Sequence, residues 1–257
     1  MPIAQRNQPS LAMNEIGRLL GSGKEAEVYE YGELVLKLYR PKASKGAAFR
    51  EASNLAVLEP LALQAPRVHS VGKYDGRWGL LMDRGPACCF ADAMNSPAQT
   101  SLHLDEMVRL HRGIHDRAGV GLPSLKARLA ANIRRAERLD VAFRDRLLIA
   151  FEAMPDGDRV CHGDFHPRNV LGSPGGAMIV DWLDACSGNS AADVCRTYVL
   201  MHHVSPVMAA AYVETYVRAG GLTPDDVLGW LPFVAAARLA EGVANEEDEL
   251  MRLAGAT

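Results

Sequence analysis

Cysteine, surplus charge and long apolar runs are all scarce in this chain, and each scarcity excludes something. Five cysteines form an odd set with no Cys-x-x-Cys spacing, so neither a disulfide framework nor a zinc site is expected. Cys88 and Cys89 are neighbours and the others stand alone in apolar surroundings, the pattern of reduced thiols in a cytoplasmic protein. Lys and Arg number 28 against 31 Asp and Glu, a formal net charge of −3. That balance excludes a bulk nucleic-acid binder. No apolar run approaches the roughly 20 residues that span a bilayer, so no membrane partner is expected. Residues 1–13 are polar and lack an apolar signal core, and they read as an untargeted, frayed arm. What remains is ordinary soluble composition, 48% hydrophobic and 23% charged over 257 residues. That length allows one large domain or two lobes sharing a cleft.

The densest concentration of chemistry is the string Cys161-His162-Gly163-Asp164-Phe165-His166-Pro167-Arg168-Asn169-Val170-Leu171, followed by Met178-Ile179-Val180-Asp181-Trp182. Asp164 and Asn169 sit on a short polar loop whose path Pro167 sets. A brief apolar strand, a Gly/Pro turn over Ser173 to Gly176 and a second strand return the chain to its start. Asp181 is thereby expected beside Asn169 and Asp164. Three oxygen-bearing side chains on one spot suit a hard cation such as Mg²⁺. The competing reading makes them turn residues that cap local backbone.

This pair of motifs resembles the aminoglycoside phosphotransferase and choline kinase group of small-molecule kinases. Their signature reads His-Gly-Asp-x-x-x-x-Asn, then Ile-Asp-Trp. Protein kinases carry Arg where Gly163 stands and Phe-Gly after the metal-binding Asp. The resemblance implies an α+β, bilobal protein kinase-like fold, with a β-rich N-terminal nucleotide-binding lobe (1–84) and a mostly helical C-terminal lobe (85–257). It implies transfer of the γ-phosphoryl of ATP or GTP to a hydroxyl of a small molecule, with Mg²⁺ as cofactor. Asp164 would take the acceptor's proton, and Asn169 and Asp181 would hold the metal. A regulatory nucleotide binder without turnover is the alternative, and a protein kinase is further off because no Ala-Pro-Glu motif follows. The acceptor's identity, the choice of ATP or GTP and the oligomeric state stay open.

The N-terminal part reads as strands at 16–20, 27–31, 34–39, 67–71 and 78–82. Gly21-Ser22-Gly23 lies between the first two, and glycine-rich backbone approaches phosphates closely. A kinase would place a third glycine where Ala26 stands. Lys37 sits mid-strand among apolar residues, where an unpaired ammonium is costly to bury. Either it snorkels at an edge, or a carboxylate or phosphate meets it. The resemblance supplies Glu51, on a helix from about 45 to 58 that Ser44 would cap, with Phe49, Leu55 and Leu58 as its buried face. Val28 is counted with the nucleotide contacts. Asp83 and Arg84, at the expected hinge, are counted as backbone contacts to the purine edge.

After the hinge, helices are expected at 102–116, 122–139 and 144–154. His111 and His115, four residues apart, read as a buried structural pair. Arg128, Arg134, Arg135 and Arg138 read most simply as solvated surface, with a phosphate-binding patch as the lesser alternative. His162 and Asp193 are expected to brace the loop, Asp193 by the resemblance. His166 is ambiguous, and Asp184 divides between a ligand and a turn residue. Trp182, Tyr198 and Trp230 are candidate pocket walls or core. Residues 222–257 hold seven acidic side chains (Asp225, Asp226, Glu241, Glu246, Glu247, Asp248, Glu249) and two basic ones. These are either solvated helix faces or a negative rim that would favour a cationic acceptor.

Overall fold

The computed structural model describes residues 15–41, 45–243 and 245–256. They form two compact units, one with the described residues up to Ala52 and Arg67–Arg84, the other with Ser53–Pro66 and everything from Gly85 onward.

The first unit is an antiparallel five-stranded sheet in the order β1-β2-β3-β5-β4. Its strands are β1 (Leu19–Ser22), β2 (Ala26–Tyr31), β3 (Leu34–Tyr39), β4 (Val68–Tyr74) and β5 (Arg77–Asp83). β1 begins later than expected. Gly17 and Arg18 exchange backbone bonds with Glu30, at 2.9 Å each, before an irregularity at Leu19–Gly21 resets the register. Asp75 and Gly76 both have positive φ, +48° and +76°, the turn that matches the twist of a tight hairpin. β3 is central, and Leu36, Leu38 and Tyr39 are buried. α1 (Lys45–Leu58) follows. Its expected cap Ser44 and the arm 1–13 lie outside the described residues. Leu55 and Leu58 are buried as expected, but Phe49 is 46% exposed. It lies edge-on to Trp78 with ring centroids 5.5 Å apart, and Lys45 Nζ stands over both rings.

The second unit is mostly helical. Its helices are α2 (Phe90–Ala93), α3 (Pro97–His115), α4 (Leu125–Arg135), α5 (Val141–Glu152), α6 (Ser190–His202), α7 (Pro206–Arg218), α8 (Pro224–Leu228), α9 (Leu231–Leu239) and α10 (Glu247–Leu253). α3 starts before 102 because Ser96 caps it and Pro97 takes its first position. Ser124 and Asp140 cap α4 and α5. Two small antiparallel ribbons, β6 (Arg159–Cys161) with β9 (Cys186–Gly188) and β7 (Val170–Leu171) with β8 (Met178–Ile179), frame the stretch between them. α6 packs against α7 and α9, and α3 against α7. Among the described residues no helix is long and apolar enough to cross a membrane, and the five cysteines are free thiols.

Candidate active site

β6 delivers the chain to His162, where strand geometry stops. Gly163 has φ +79°, and a Cβ there would lie 2.4 Å from the Asp184 carbonyl oxygen and 2.5 Å from the Arg128 guanidinium. Only glycine tolerates both demands, which is the local reason for glycine in the His-Gly-Asp string.

Asp193, in the first turn of α6, holds this loop. Its Oδ2 accepts from His162 N at 2.7 Å and its Oδ1 from Gly163 N at 2.9 Å. Oδ2 also meets Nε2 of His111 at 2.9 Å and of His115 at 3.2 Å. Burial pushes the Asp193 carboxyl up, but hydrogen bonds from His111 and His115 outweigh it and hold it well below the usual carboxylate range. His111 is pushed down to about 3 by burial and then by His115, so the ring is neutral. Because ionised Asp193 only accepts, His111 Nε2 carries the proton, and Nδ1 accepts from Tyr212 Oη at 2.5 Å. His115 Nδ1 meets Tyr216 Oη at 2.7 Å. The His111, His115 and Asp193 ligand atoms lie within 4.8 Å of one another. Each is already engaged in this network, so the two histidines are a buried structural pair.

His162 is also buried, and burial lowers its pKa against the pull of Asp193, Asp164 and Asp181. Its Nδ1 accepts from Asp164 N at 3.2 Å, so Nε2 is the donor to Val180 O at 3.1 Å. One ring thus ties the start of the loop to the strand that leads to Asp181. β7 pairs with β8, Val170 opposite Ile179, and Val180 N donates to Asn169 O at 2.9 Å. Asn169 Nδ2 donates to Asp164 O at 2.9 Å and to its Oδ2 at 3.2 Å. Asp181 follows with φ +66° and ψ +63°, a left-handed conformation uncommon outside glycine that Asp and Asn adopt more readily than other side chains. Asn54 Nδ2 fixes the next turn through Trp182 O at 2.9 Å and Leu183 O at 3.2 Å.

Asp164 is half-buried. Burial alone would raise its pKa, but the His166 hydrogen bond and charge, with the Arg196 charge, hold it well below the usual carboxylate range. His166 Nε2 stands 3.5 Å from Asp164 Oδ2, and its Nδ1 accepts from Arg168 N, which resolves its ambiguity in favour of a contact to Asp164. The donor set fits a hard cation. Asn169 spends its Nδ2 on Asp164, so its amide oxygen is the atom it offers, and Asp181 adds a carboxylate.

In the first unit, Lys37 is 6% and Glu51 1% exposed. Lys37 Nζ donates to both Glu51 oxygens, at 2.9 and 2.7 Å, and the Tyr39 hydroxyl also bonds Glu51. Lys37 is therefore buried and paired, not snorkelling. Val28 faces Lys37 across the β2–β3 ladder, so the two side chains share a face of the sheet. Gly21 and Ser22 end β1 and Gly23 opens the β1–β2 turn, all three exposed. A Cβ at Gly21 would meet nothing within 4 Å, and one at Gly23 only the Ala26 carbonyl at 3.7 Å, so local packing does not demand either glycine. The Asp83 carboxylate binds Arg67 and His69, and Arg84 binds Glu30.

The structure decides between readings the sequence left open and corrects others. Trp182 and Trp230 are 0% and 2% exposed; Trp182 donates to Ile179 O and Trp230 packs on Phe151, so both are core. Arg128 is half-buried and engaged: it bonds the Asp184 carbonyl and lies 3.4 Å from that residue's carboxylate, which gives Asp184 a local partner. Arg134, Arg135 and Arg138 are exposed as expected. Most acids after 221 are paired. Glu241 meets Arg196 and Arg238, Glu246 meets Arg238, Glu247 meets Arg138 and Glu249 meets Arg252. Arg196 was overlooked in the sequence. Its signal was the one that exposed Lys37, a cation embedded in an apolar run (Val194 to Val199).

The phosphotransferase enzyme family (APH) matches residues 17–233. No curated protein matches the chain. Among solved structures it is similar to an aminoglycoside phosphotransferase, a thermostable mutant of APH(4)-Ia in ternary complex with ADP and hygromycin B. That pair has TM-score 0.67 and 15% identity, covering 93% of this chain and 92% of that one. It is similar to the choline kinase LicA from Streptococcus pneumoniae, with TM-score 0.67 and 11% identity, covering 96% of both chains. An aminoglycoside-3'-phosphotransferase of type VIII has TM-score 0.59 and 21% identity, covering 86% of this chain and 89% of that one. These identities carry the fold, which is protein kinase-like. The family match, spanning most of the chain, carries membership: this chain belongs to the phosphotransferase enzyme family of small-molecule kinases.

Proposed function

We propose that this phosphotransferase moves the γ-phosphoryl group of ATP or GTP to a hydroxyl of a small molecule, with amino sugars and amino alcohols as the first acceptor classes to test. The observation that carries the reading is Asp164, ionised, hydrogen-bonded by Asn169, and set on a loop that Asp193 braces. A carboxylate in that state accepts the proton of an attacking hydroxyl. Asn169 and Asp181 would hold Mg²⁺, which neutralises charge on the transferring phosphoryl group. Lys37, oriented by Glu51, would hold phosphate oxygens. Gly21, Ser22 and Gly23 would present backbone amides to phosphate, Val28 would pack on the nucleotide, and the backbone at Asp83 and Arg84 would meet the purine edge. Residues 1–84 would then be the nucleotide-binding part and 85–257 the catalytic and acceptor-binding part. Support for the acceptor class comes from the relatives: one solved structure holds hygromycin B and another is a choline kinase. The acidic tail supports it less, because its charges are largely paired.

The test is ADP release from Mg·ATP and Mg·GTP across a panel of amino sugars, amino alcohols, neutral polyols, sugar phosphates and a protein mixture. Release that depends on one small hydroxyl compound is the expected result. Label transferred only to protein would make it a protein kinase. Tight nucleotide binding without release for any acceptor would make it a regulatory nucleotide binder.

A further inference from the structure

We propose that Arg196 and Glu241 are positioning residues for Asp164, so that the segment after α9 controls the competence of the catalytic loop. The inference rests on the phosphotransfer reading above. Arg196 lies on α6 one turn beyond Asp193 and is 7% exposed. A buried guanidinium needs partners, and the ones it has are informative. Its Nε donates to Gly163 O at 3.2 Å. Its Nη2 donates to Glu241 Oε2 at 3.0 Å, and lies 2.8 Å from Glu241 Oε1 and 3.9 Å from Asp164 Oδ1. Gly163 is thus held at both ends of its backbone, its N by Asp193 and its O by Arg196.

The distance to Asp164 decides the role of Glu241. At 3.9 Å the contact is an ion pair without a hydrogen bond. A guanidinium free to close on a carboxylate would form two parallel bonds and occupy both oxygens. Added to the bond that Asp164 Oδ2 already takes from Asn169 and to the nearby His166, such a fork would crowd the lone pairs that an acceptor hydroxyl needs. Glu241 holds the same nitrogen more closely, so Arg196 lends Asp164 its charge without covering it. Glu241 is itself fixed by Arg238, and Arg238 by Glu246 at 2.8 and 3.0 Å. The alternating chain Asp164–Arg196–Glu241–Arg238–Glu246 runs from the catalytic loop into the C-terminal segment. Its last three members lie beyond residue 233, where the family match ends.

The test uses the full chain with E241Q, R196K and the double variant. Three quantities are read: amide hydrogen exchange of residues 161–169 without ligand, Mg·ATP affinity, and kcat and KM with whichever compound of the panel above gives ADP release. E241Q is expected to speed exchange across the loop and leave Mg·ATP affinity unchanged. It should lower kcat by about 10- to 100-fold, the scale of a misplacement of about 1 Å. R196K keeps the charge and loses the fork, so it should repeat this phenotype. The double variant should be no worse than the worse single one. Unaltered exchange and kcat, additive losses, or a loss confined to KM would overturn the proposal. If E241Q does not melt cooperatively, E241D takes its place with an intermediate effect expected. A wild-type protein that releases no ADP defeats the phosphotransfer reading alone, and loop exchange then decides the positioning claim.

Discussion

Asp164 and Lys37 carry different kinds of charge, and their replacements should separate. Asp164→Asn keeps the size and the contact to Asn169 but removes the base. Nucleotide affinity should persist while turnover falls about 10²- to 10⁴-fold; a variant with more than half the wild-type turnover rejects the assignment. Lys37 and Glu51 are buried together, so removing one strands the other, at a cost of about 3–5 kcal/mol. In a thermal-melt cycle, Lys37→Met with Glu51→Gln should therefore lose less than the sum of the single changes. Additive losses would show that the pair is not coupled. Gly163→Ala meets both a positive φ and the Asp184 carbonyl. It should lower the melting temperature and abolish turnover together, and a stable, active Gly163→Ala variant would contradict the loop geometry described.

At the scale of elements, α3, α6 and α7 meet in one polar network inside an apolar core. His111 stacks on Phe165 with centroids 4.2 Å apart and is faced by His115, Asp193, Tyr212 and Tyr216. Its folded pKa of about 3 lies below the ordinary 6.5. Between those values the unfolded chain binds a proton that the folded chain refuses, so stability rises with pH. It is fully present above the ordinary value and is lost on acidification, by about 1.4 kcal/mol per pH unit for one such site. His162 is shifted in the same direction by burial and adds to the loss. Thermal melts at about pH 7.5 and pH 5 should show this destabilisation. His111→Gln should melt lower at the higher pH yet lose less between the two. An unchanged difference would mean that His111 is not the neutral group described.

Over the whole molecule, charge counted along the sequence and charge placed in space disagree. Seven acids against two bases after residue 221 suggested a negative rim, but arginines from α6 and from the turn after α4 reach that segment. Arg138 meets Glu247 at 3.0 Å, and Arg196 meets Glu241. Asp226 caps Thr223. The remaining field is short-ranged and further screened by salt. Acceptor KM should therefore depend only weakly on ionic strength, and Glu247→Gln should leave it unchanged. A KM that climbs steeply with salt would restore the rim as a determinant of the acceptor.

The sequence by itself determined the parts whose partners are close along the chain or fixed by strand pairing. The His-Gly-Asp loop, Asn169 and the return of Asp181 through a tight hairpin follow from local backbone chemistry, whereas Lys37 stood open between an edge and a buried pair until Glu51 was placed. Turn residues and alternating apolar positions leave few ways to arrange a short segment. Tertiary structure decided what depends on distant residues. His111 finds Asp193 82 residues away and Tyr212 101 away, and Arg196 finds Glu241 45 residues on. Helical periodicity says that such a side chain is buried, not what it will touch. Phe49, Trp182 and Trp230 make the same point for apolar surface. An aromatic ring at a helix or turn position serves core, surface or pocket equally well until the elements packed around it are known.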